Sequence, residues 1–454
     1  MKINEYICAL YYYISFMNQK ISKILILLAC CLCSVFAGFA QNSNPSNLTN
    51  SAYTRYGFGK MGSVGNAATR AMGDLGVVAY SNTFTNLYNP ASLTAIDTLT
   101  MLVDAGLNGE WQFSSENGNH QSDFNSGFNY LSLHFPLWNR FAGAVSLTPY
   151  SMVGYYYGDV QKAPIDNTIV TNDTLKYSNT YQGNGGLQRI MTSIGWRPVA
   201  KKSHSLNLGL NAGFIYGTVS HGGAITISSS QGQSTAVTRS FTAKGLELTT
   251  GLQYLYRING DKMILIGGTF SPETPIKVHA ENLKYTNTDT LSINERFNVS
   301  SPLKLGIGAS YIVERKLQIG AEFSMENWGN VAGLNANLAK SDDIYKNITK
   351  FAAGIEYQPS VFNQNYFKTC HYRAGFNVKN SYIETYGSQN TEYTLSAGLG
   401  LPVGLTSRRR SIVNLALEYI HVQPSKSDML VENYVNLSVG ITFNEMMFFR
   451  NKLR

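Results

Sequence analysis

Charged side chains are scarce in this 454-residue chain, where Asp, Glu, Lys and Arg together make up 14%. Soluble domains carry roughly a quarter. Cysteine is scarcer still. Cys8, Cys30, Cys31 and Cys33 all lie near the start, which leaves Cys370 alone in the rest of the chain. An exported protein with one thiol has neither an internal disulfide nor a cysteine metal site. Beyond the first forty residues no run reaches the ~18 consecutive apolar residues of a membrane helix, so a helical membrane protein is excluded. The seven histidines (120, 134, 204, 221, 279, 371 and 421) show no metal-ligand spacing. No Ser/His/Asp set is recognisable, and Gly306-x-Gly308 and Gly398-x-Gly400 fall inside strand patterns rather than at phosphate-binding turns. No enzyme, metal, cofactor or nucleic-acid partner is therefore expected. What is abundant is tyrosine (29) and glycine (41), and 12% aromatic content argues against disorder.

Residues 1–40 read as a signal peptide. Lys20 and Lys23 precede an apolar run from Ile24 to Phe39, and Gly38-Phe39-Ala40 is a small-x-small cleavage site. Met17 opens a more conventional signal than Met1 and is the better candidate for the true start. A lipoprotein signal at Leu27-Leu28-Ala29-Cys30 is the rival, but it would leave the apolar stretch Cys31 to Ala40 behind the acylated cysteine.

The dominant pattern is strict alternation, which puts every second side chain on one face of a strand. From Leu99 to Phe113 the odd positions are Leu, Met, Val, Ala, Leu, Gly, Trp and Phe, while the even ones, Leu102 apart, are polar, acidic or small. The same pattern recurs at 205–217, 303–314, 316–327, 391–402, 410–422 and 434–444. The full reading gives fourteen strands between about 98 and 444, each long enough to cross a bilayer at a tilt. Their connections alternate between short turns and longer loops near 151–186, 218–239, 272–302 and 328–348. That parity is expected of short periplasmic turns and long outer loops.

A soluble sandwich also alternates, but its dry core would refuse charges such as Asp104, Glu247, Glu322, Glu356 and Arg373 on the polar faces. The expected fold is all-β: a 14-stranded antiparallel transmembrane β-barrel over 98–454, in the outer membrane of a Gram-negative cell. Residues 41–97 do not alternate. They are rich in small residues and turns, include Tyr53-Thr54-Arg55-Tyr56-Gly57, and carry an Asn-Pro turn at Asn89-Pro90-Ala91. This segment is expected to fold into the lumen as a plug, which tells against an open porin.

Ala67-Ala68-Thr69-Arg70-Ala71-Met72-Gly73 through Leu87-Tyr88-Asn89-Pro90-Ala91, followed by fourteen strands, resembles the FadL/TodX outer-membrane transporters of hydrophobic compounds. The Tyr53-to-Gly57 opening resembles the Bacteroidota branch of that family. The resemblance implies a monomeric barrel with an N-terminal hatch, taking up long-chain fatty acids or similar apolar molecules. The family's Asn-Pro-Ala motif falls on Asn89, Pro90 and Ala91, with Ser92 where glycine is frequent. FadL-like barrels also serve as accessory outer-membrane components of type IX protein secretion, and that is the alternative function, with a secretion-system partner.

For a fatty-acid carboxylate in the lumen, the candidates by strand parity are Arg373, Arg189, Arg257 and His371. A salt bridge to Glu322, Glu356 or Asp104 is the plainer role for each arginine. Pro149 falls within the alternation of strand 3, where proline cannot donate to a ladder. Either the strand ends there or, with Gly143 and Gly154, the wall opens sideways. The family's kinked third strand implies the second: a lateral exit into lipid.

Overall fold

The computed structural model describes residues 49–446 apart from 117, 165–173, 228–233, 287, 315, 332–344, 362, 386, 407–408, 425 and 427–428. The expected signal peptide and Met17 lie outside the described residues. A two-residue strand, β1 (Lys60–Met61), precedes the barrel strands β2 (Thr100–Glu116), β3 (Asn119–Trp138), β4 (Phe141–Pro164), β5 (Thr174–Ala200), β6 (His204–Ile227) and β7 (Thr235–Arg257). Next come four shorter strands, β8 (Lys262–Ser271), β9 (Pro275–Thr286), β10 (Thr290–Ser300) and β11 (Lys304–Val313). The last six are β12 (Leu317–Glu326), β13 (Ile348–Tyr357), β14 (His371–Thr385), β15 (Ser388–Thr406), β16 (Arg409–Gln423) and β17 (Val431–Met446).

All pairings are antiparallel, and β17 pairs with β2 from Val431↔Ser115 to Met446↔Thr100, which closes the barrel. β7 pairs with β8 along its second half and with β9 along its first. β8 and β9 are thus two parts of one wall strand, as are β10 and β11, which pair with them in turn. Counted so, the barrel has fourteen strands. Closure leaves no sheet edge at the β17–β2 junction, as lipid requires.

The barrel is turned inside out relative to a soluble fold. Ile307, Leu395 and Leu107 are 65%, 64% and 56% exposed on the outer surface, whereas Asp104, Glu247 and Arg373 are buried inside. Only lipid makes that arrangement favourable. Trp138, Trp196, Tyr256, Tyr311, Tyr357 and Tyr372 are exposed near the end where the short turns lie, with Phe141 stacked on Trp196 at 5.8 Å. Such a ring suits an interfacial girdle.

Three of the expected long loops are strand instead. β4 runs on to Pro164, β5 starts at Thr174, β6 and β7 meet across a short gap, and β9–β10 forms a hairpin over most of 272–302. Here the outward face is polar, because the strands stand above the apolar belt, so the alternation that marks the wall fades while the ladder continues. Of the fourth loop, 328–348, residues 332–344 lie outside the described residues.

Candidate functional site: the hatch and the β3–β4 seam

Residues 49–97 thread the lumen from the tall end to the short-turn end. The Ser51 hydroxyl donates to the carboxylate of Glu432, near the start of β17, at 2.8 and 2.9 Å. At the other end the chain passes Arg197 and enters β2 at Thr100. Apolar residues give it a core of its own against the wall: Met72, Leu75, Val77, Val78 and Phe84 pack with Leu255 and Leu265.

The wall makes room by leaving out side chains. Gly195, Gly209 and Gly251 are cross-strand partners on β5, β6 and β7, and a Cβ on any of them would collide with Asn89, Pro90 or the turn that follows. Gly320, Gly354 and Gly375 form a second row across β12, β13 and β14, with Leu75, Met72 and Gly73 against them. Asn89, Pro90 and Ala91 are buried. Asn89 Nδ2 donates to the carbonyls of Val77 at 2.8 Å and Leu252 at 3.2 Å, while its Oδ1 accepts from the Ala91 amide and caps the short 3-10 helix Pro90–Ala95. Asparagine does what a plain turn residue could not: it ties the hatch to itself and to β7 at once.

Several lumen carboxylates hold the hatch. Glu322 accepts from the backbone amides of Gly76 and Val77 at 2.9 and 2.7 Å. Asn66 donates to Asp104 at 3.3 Å, and Arg70 pairs with Glu418 at 3.3 Å while donating to Asn129 at 3.0 Å. Lys350 pairs with Asp74 at 2.9 Å, and Tyr88 and Ser63 also donate to that carboxylate or share its hydrogen bonds. Burial alone would raise the Asp74 carboxyl, but the charges of Lys350 and Arg70 and the hydrogen bond from Tyr88 hold it below its ordinary value.

Of the four candidate cations only Arg373 and His371 come together. Arg373 is the third residue of β14; its Nε lies 2.9 Å from Glu356 and its Nη1 donates to Asn414 at 2.8 Å. His371 Nδ1 meets the other oxygen of Glu356 at 2.7 Å, so these two share one carboxylate. Arg189 pairs with Glu247 at 2.7 Å, and Lys304 takes the second oxygen of that carboxylate at 2.8 Å. Arg257 is exposed at the end of β7, near the short turns, with its Nε 3.4 Å from Met263 Sδ. A cavity of about 80 Å³ beside Tyr53, Lys60, Tyr382, Glu392 and Glu432 has room for a few waters, and none of the four cations lines it.

Pairing between β3 and β4 breaks off close to Pro149. β3 and β4 pair from Trp138↔Phe141 only as far as Leu131↔Leu147, although β3 begins at Asn119 and β4 continues to Pro164. Pro149 therefore does not end its strand. A register shift on the β5 side falls at the same place, between Pro149 and Ser151. Beyond it the hatch occupies the edge of β4 that β3 leaves free. β1 pairs there, Lys60↔Met152 and Met61↔Ser151. The Gly62 amide donates to the Tyr150 carbonyl at 2.8 Å, and the Thr54 hydroxyl bonds both the carbonyl and the amide of Gly154 at 3.2 and 3.3 Å. Gly143 lies in the paired part, opposite Phe135 and Ile194. Proline was the sequence signal for the break; nothing in the sequence marked Thr54 to Gly62 as what fills it.

Solved structures share this architecture. The toluene transporter TbuX of Ralstonia pickettii matches at 15% identity and a TM-score of 0.51, over 84% of this chain and 98% of that one. The toluene transporter TodX of Pseudomonas putida matches at 13% identity and 0.51, over 87% and 100%. A Pseudomonas aeruginosa FadL homologue matches at 12% identity and 0.56, over 85% and 99%. At these identities the likeness is one of fold: the chain is a FadL-type barrel. No curated protein matches it. The sequence profile of the family described as BamG matches residues 20–454, nearly the whole chain, and the protein belongs to that family.

Proposed function

We propose that the protein is a monomeric outer-membrane channel for small hydrophobic molecules, with the short turns in the periplasm and the β3–β4 seam as the side exit into lipid. The observation that carries this reading is the seam itself. A wall in which β3 and β4 stop pairing at Leu131↔Leu147, with a hatch strand bonded to the edge of β4 left free, has the form of a gate. Three structures of the same fold are toluene transporters or a FadL homologue, which supports an apolar cargo. Neutral hydrocarbons suit the lumen better than long-chain fatty-acid anions. Arg373 and His371 share Glu356, and Arg189 is taken by Glu247, so a carboxylate would have to displace an internal one.

The test is to lock the gate. Met61 and Ser151 are register partners, a separation that a disulfide can span. With Cys370→Ser in the background, oxidised Met61→Cys/Ser151→Cys should lose uptake of radiolabelled toluene or oleate, and reduction should restore it. Equal uptake in both redox states sinks the gate.

A specific feature favours a second reading, an accessory component of protein secretion. Ile225, Val237, Leu291 and Ile293 are all about half exposed on the inner face above the hatch, where a polypeptide partner could bury them. Native mass spectrometry of protein purified from its own membranes separates the two: bound hydrocarbon or lipid for the channel, a stoichiometric protein partner for the component.

A further inference from the structure

We propose that the outer surface of β7, β9 and β10 binds the phosphate groups of an outer-leaflet lipid headgroup, as in a phosphorylated glycolipid. This rests on the outer-membrane orientation given above, with the tall strands facing outward. On β7 the outward-facing residues from the short-turn end upward are Tyr256, Tyr254, Leu252, Thr250, Leu248 and Leu246, and the next is Lys244. The apolar belt ends at Leu246, 59% exposed, and the first residue above it is a cation.

Its cross-strand partner on β9 is another cation, Lys277. One step further along, His279 faces Arg296 across the β9–β10 ladder. Paired residues share a face, and the alternating neighbours Ala243, Val278, Ala280 and Val299 are buried inward. Lys244, Lys277, His279 and Arg296 are therefore all exposed on the outside. Direct neighbours stand about 5 Å apart and diagonal ones about 7–8 Å, so the patch spans about 10 Å, within reach of one or two phosphates.

Like charges directly opposite each other destabilise a ladder unless something anionic lies between them. No side chain among the described residues supplies it. Among the described residues, the only ion pairs near this patch are Arg239 to Glu295, on the inner face, and Lys304 to Glu247 and Glu326, in or beside the lumen. The nearest acids on these strands, Glu281 and the linker residue Glu273, pair with none of the four. A cationic row at the upper rim of an apolar belt lies at headgroup height, where an anionic lipid presents phosphate and where lysine stems can lie along acyl chains. Arginine and lysine then neutralise it by charge-assisted hydrogen bonds.

The experiment compares the full-length barrel in detergent with Lys244→Gln/Lys277→Gln/Arg296→Gln, using native mass spectrometry with added diphosphoryl lipid A, fully dephosphorylated lipid A, or diphosphoryl lipid A plus excess inorganic phosphate. Heat-modifiable migration on gels checks that both fold. The wild type should retain diphosphoryl lipid A at least tenfold better than the variant and lose that advantage with the dephosphorylated lipid. Millimolar inorganic phosphate should leave retention unchanged. Equal retention by wild type and variant overturns the proposal, as does displacement by inorganic phosphate, which would assign the patch to a free anion. A variant that fails to fold is replaced by Lys277→Glu alone, for which the same comparison applies. Hydrocarbon uptake is measured separately, so the channel can fail while the lipid site stands.

Discussion

Lys350 on β13 reaches Asp74 in the hatch twice, donating to its Oδ2 at 2.9 Å and to its backbone carbonyl at 2.7 Å. Asp74 holds a left-handed backbone, φ 59°, straight after Gly73 at φ 71°, a conformation that a non-glycine residue keeps only when its surroundings enforce it. One cation thus fixes both the charge and the turn. Lys350→Met should weaken hatch anchoring by about 2 kcal/mol, the worth of a charge-assisted hydrogen bond, because Asp74 keeps Arg70, Tyr88 and Ser63. Hydrogen exchange would show it as faster exchange confined to residues 66–78, with the barrel amides unchanged.

The same pair makes hatch anchoring dependent on pH. The folded carboxyl of Asp74 sits below its free value of 3.8. Its contribution is therefore fully present above that value and is lost as the pH falls through the lower, folded one. A spin label at Val64→Cys, with Cys370→Ser, should show a loosening step below about pH 4 that Asp74→Asn lacks. Asp74→Asn should be loose throughout. Loosening near pH 6 would assign the transition to another group.

Gly209 should be intolerant of any larger residue. A Cβ there meets the backbone of Pro90 and Ala91, so Gly209→Val must move the hatch turn or the wall. The hatch is the softer of the two. The variant should fold, with heat-modifiable migration intact, and admit polar antibiotics that the parent excludes, lowering their inhibitory concentration several-fold. Gly268→Ala is the control: the only atom near its would-be Cβ, the Gly306 carbonyl oxygen, is 3.8 Å away.

Pro149→Val restores a backbone donor where pairing between β3 and β4 stops. With the ladder free to extend past Leu131↔Leu147, uptake of apolar solutes should fall several-fold while thermal stability holds or rises. Undiminished uptake by a correctly folded variant would remove the proline from the gate.

Arg373 tests the fatty-acid reading against its internal partner. Arg373→Ala leaves Glu356 with only His371 and should destabilise the barrel by about 3 kcal/mol in urea titration, with Glu356→Gln added to it recovering much of that loss. Oleate binding should be unchanged in the double variant. A tenfold loss of oleate affinity in Arg373→Ala that persists in the double variant would return Arg373 to the carboxylate site.

Leu99 to Phe113, Leu303 to Val313 and Val435 to Phe443 were legible as wall strands because a period of two with one apolar face is a local property of the chain. Strand number followed from the same signal, as did Pro149, which lacks a donor wherever it sits. Upper extensions such as Gly222 to Ile227 and Pro275 to Thr286 were not legible. Above the lipid the outward face is polar and the apolar inward face runs only as far as Ile276, Val278 and Ala280 before giving out, so pairing there is decided by continuing a ladder begun below.

The plug was expected from the sequence, but most of its partners in the lumen were not. Parity told which way Arg373, Arg189, Glu322 and Glu356 point, but ion pairs and hatch anchors join residues as far apart as Asp74 and Lys350, or Ser51 and Glu432. Only barrel closure brings such partners within 3 Å. Thr54 to Gly62 carry no periodicity, because a segment that borrows its partners from β4 needs none of its own. The sequence by itself determined which residues face lipid, since that depends on neighbours two positions away. Which residues hold the hatch, and which gap it fills, was decided by the tertiary structure, since that depends on strands that meet only when the sheet closes.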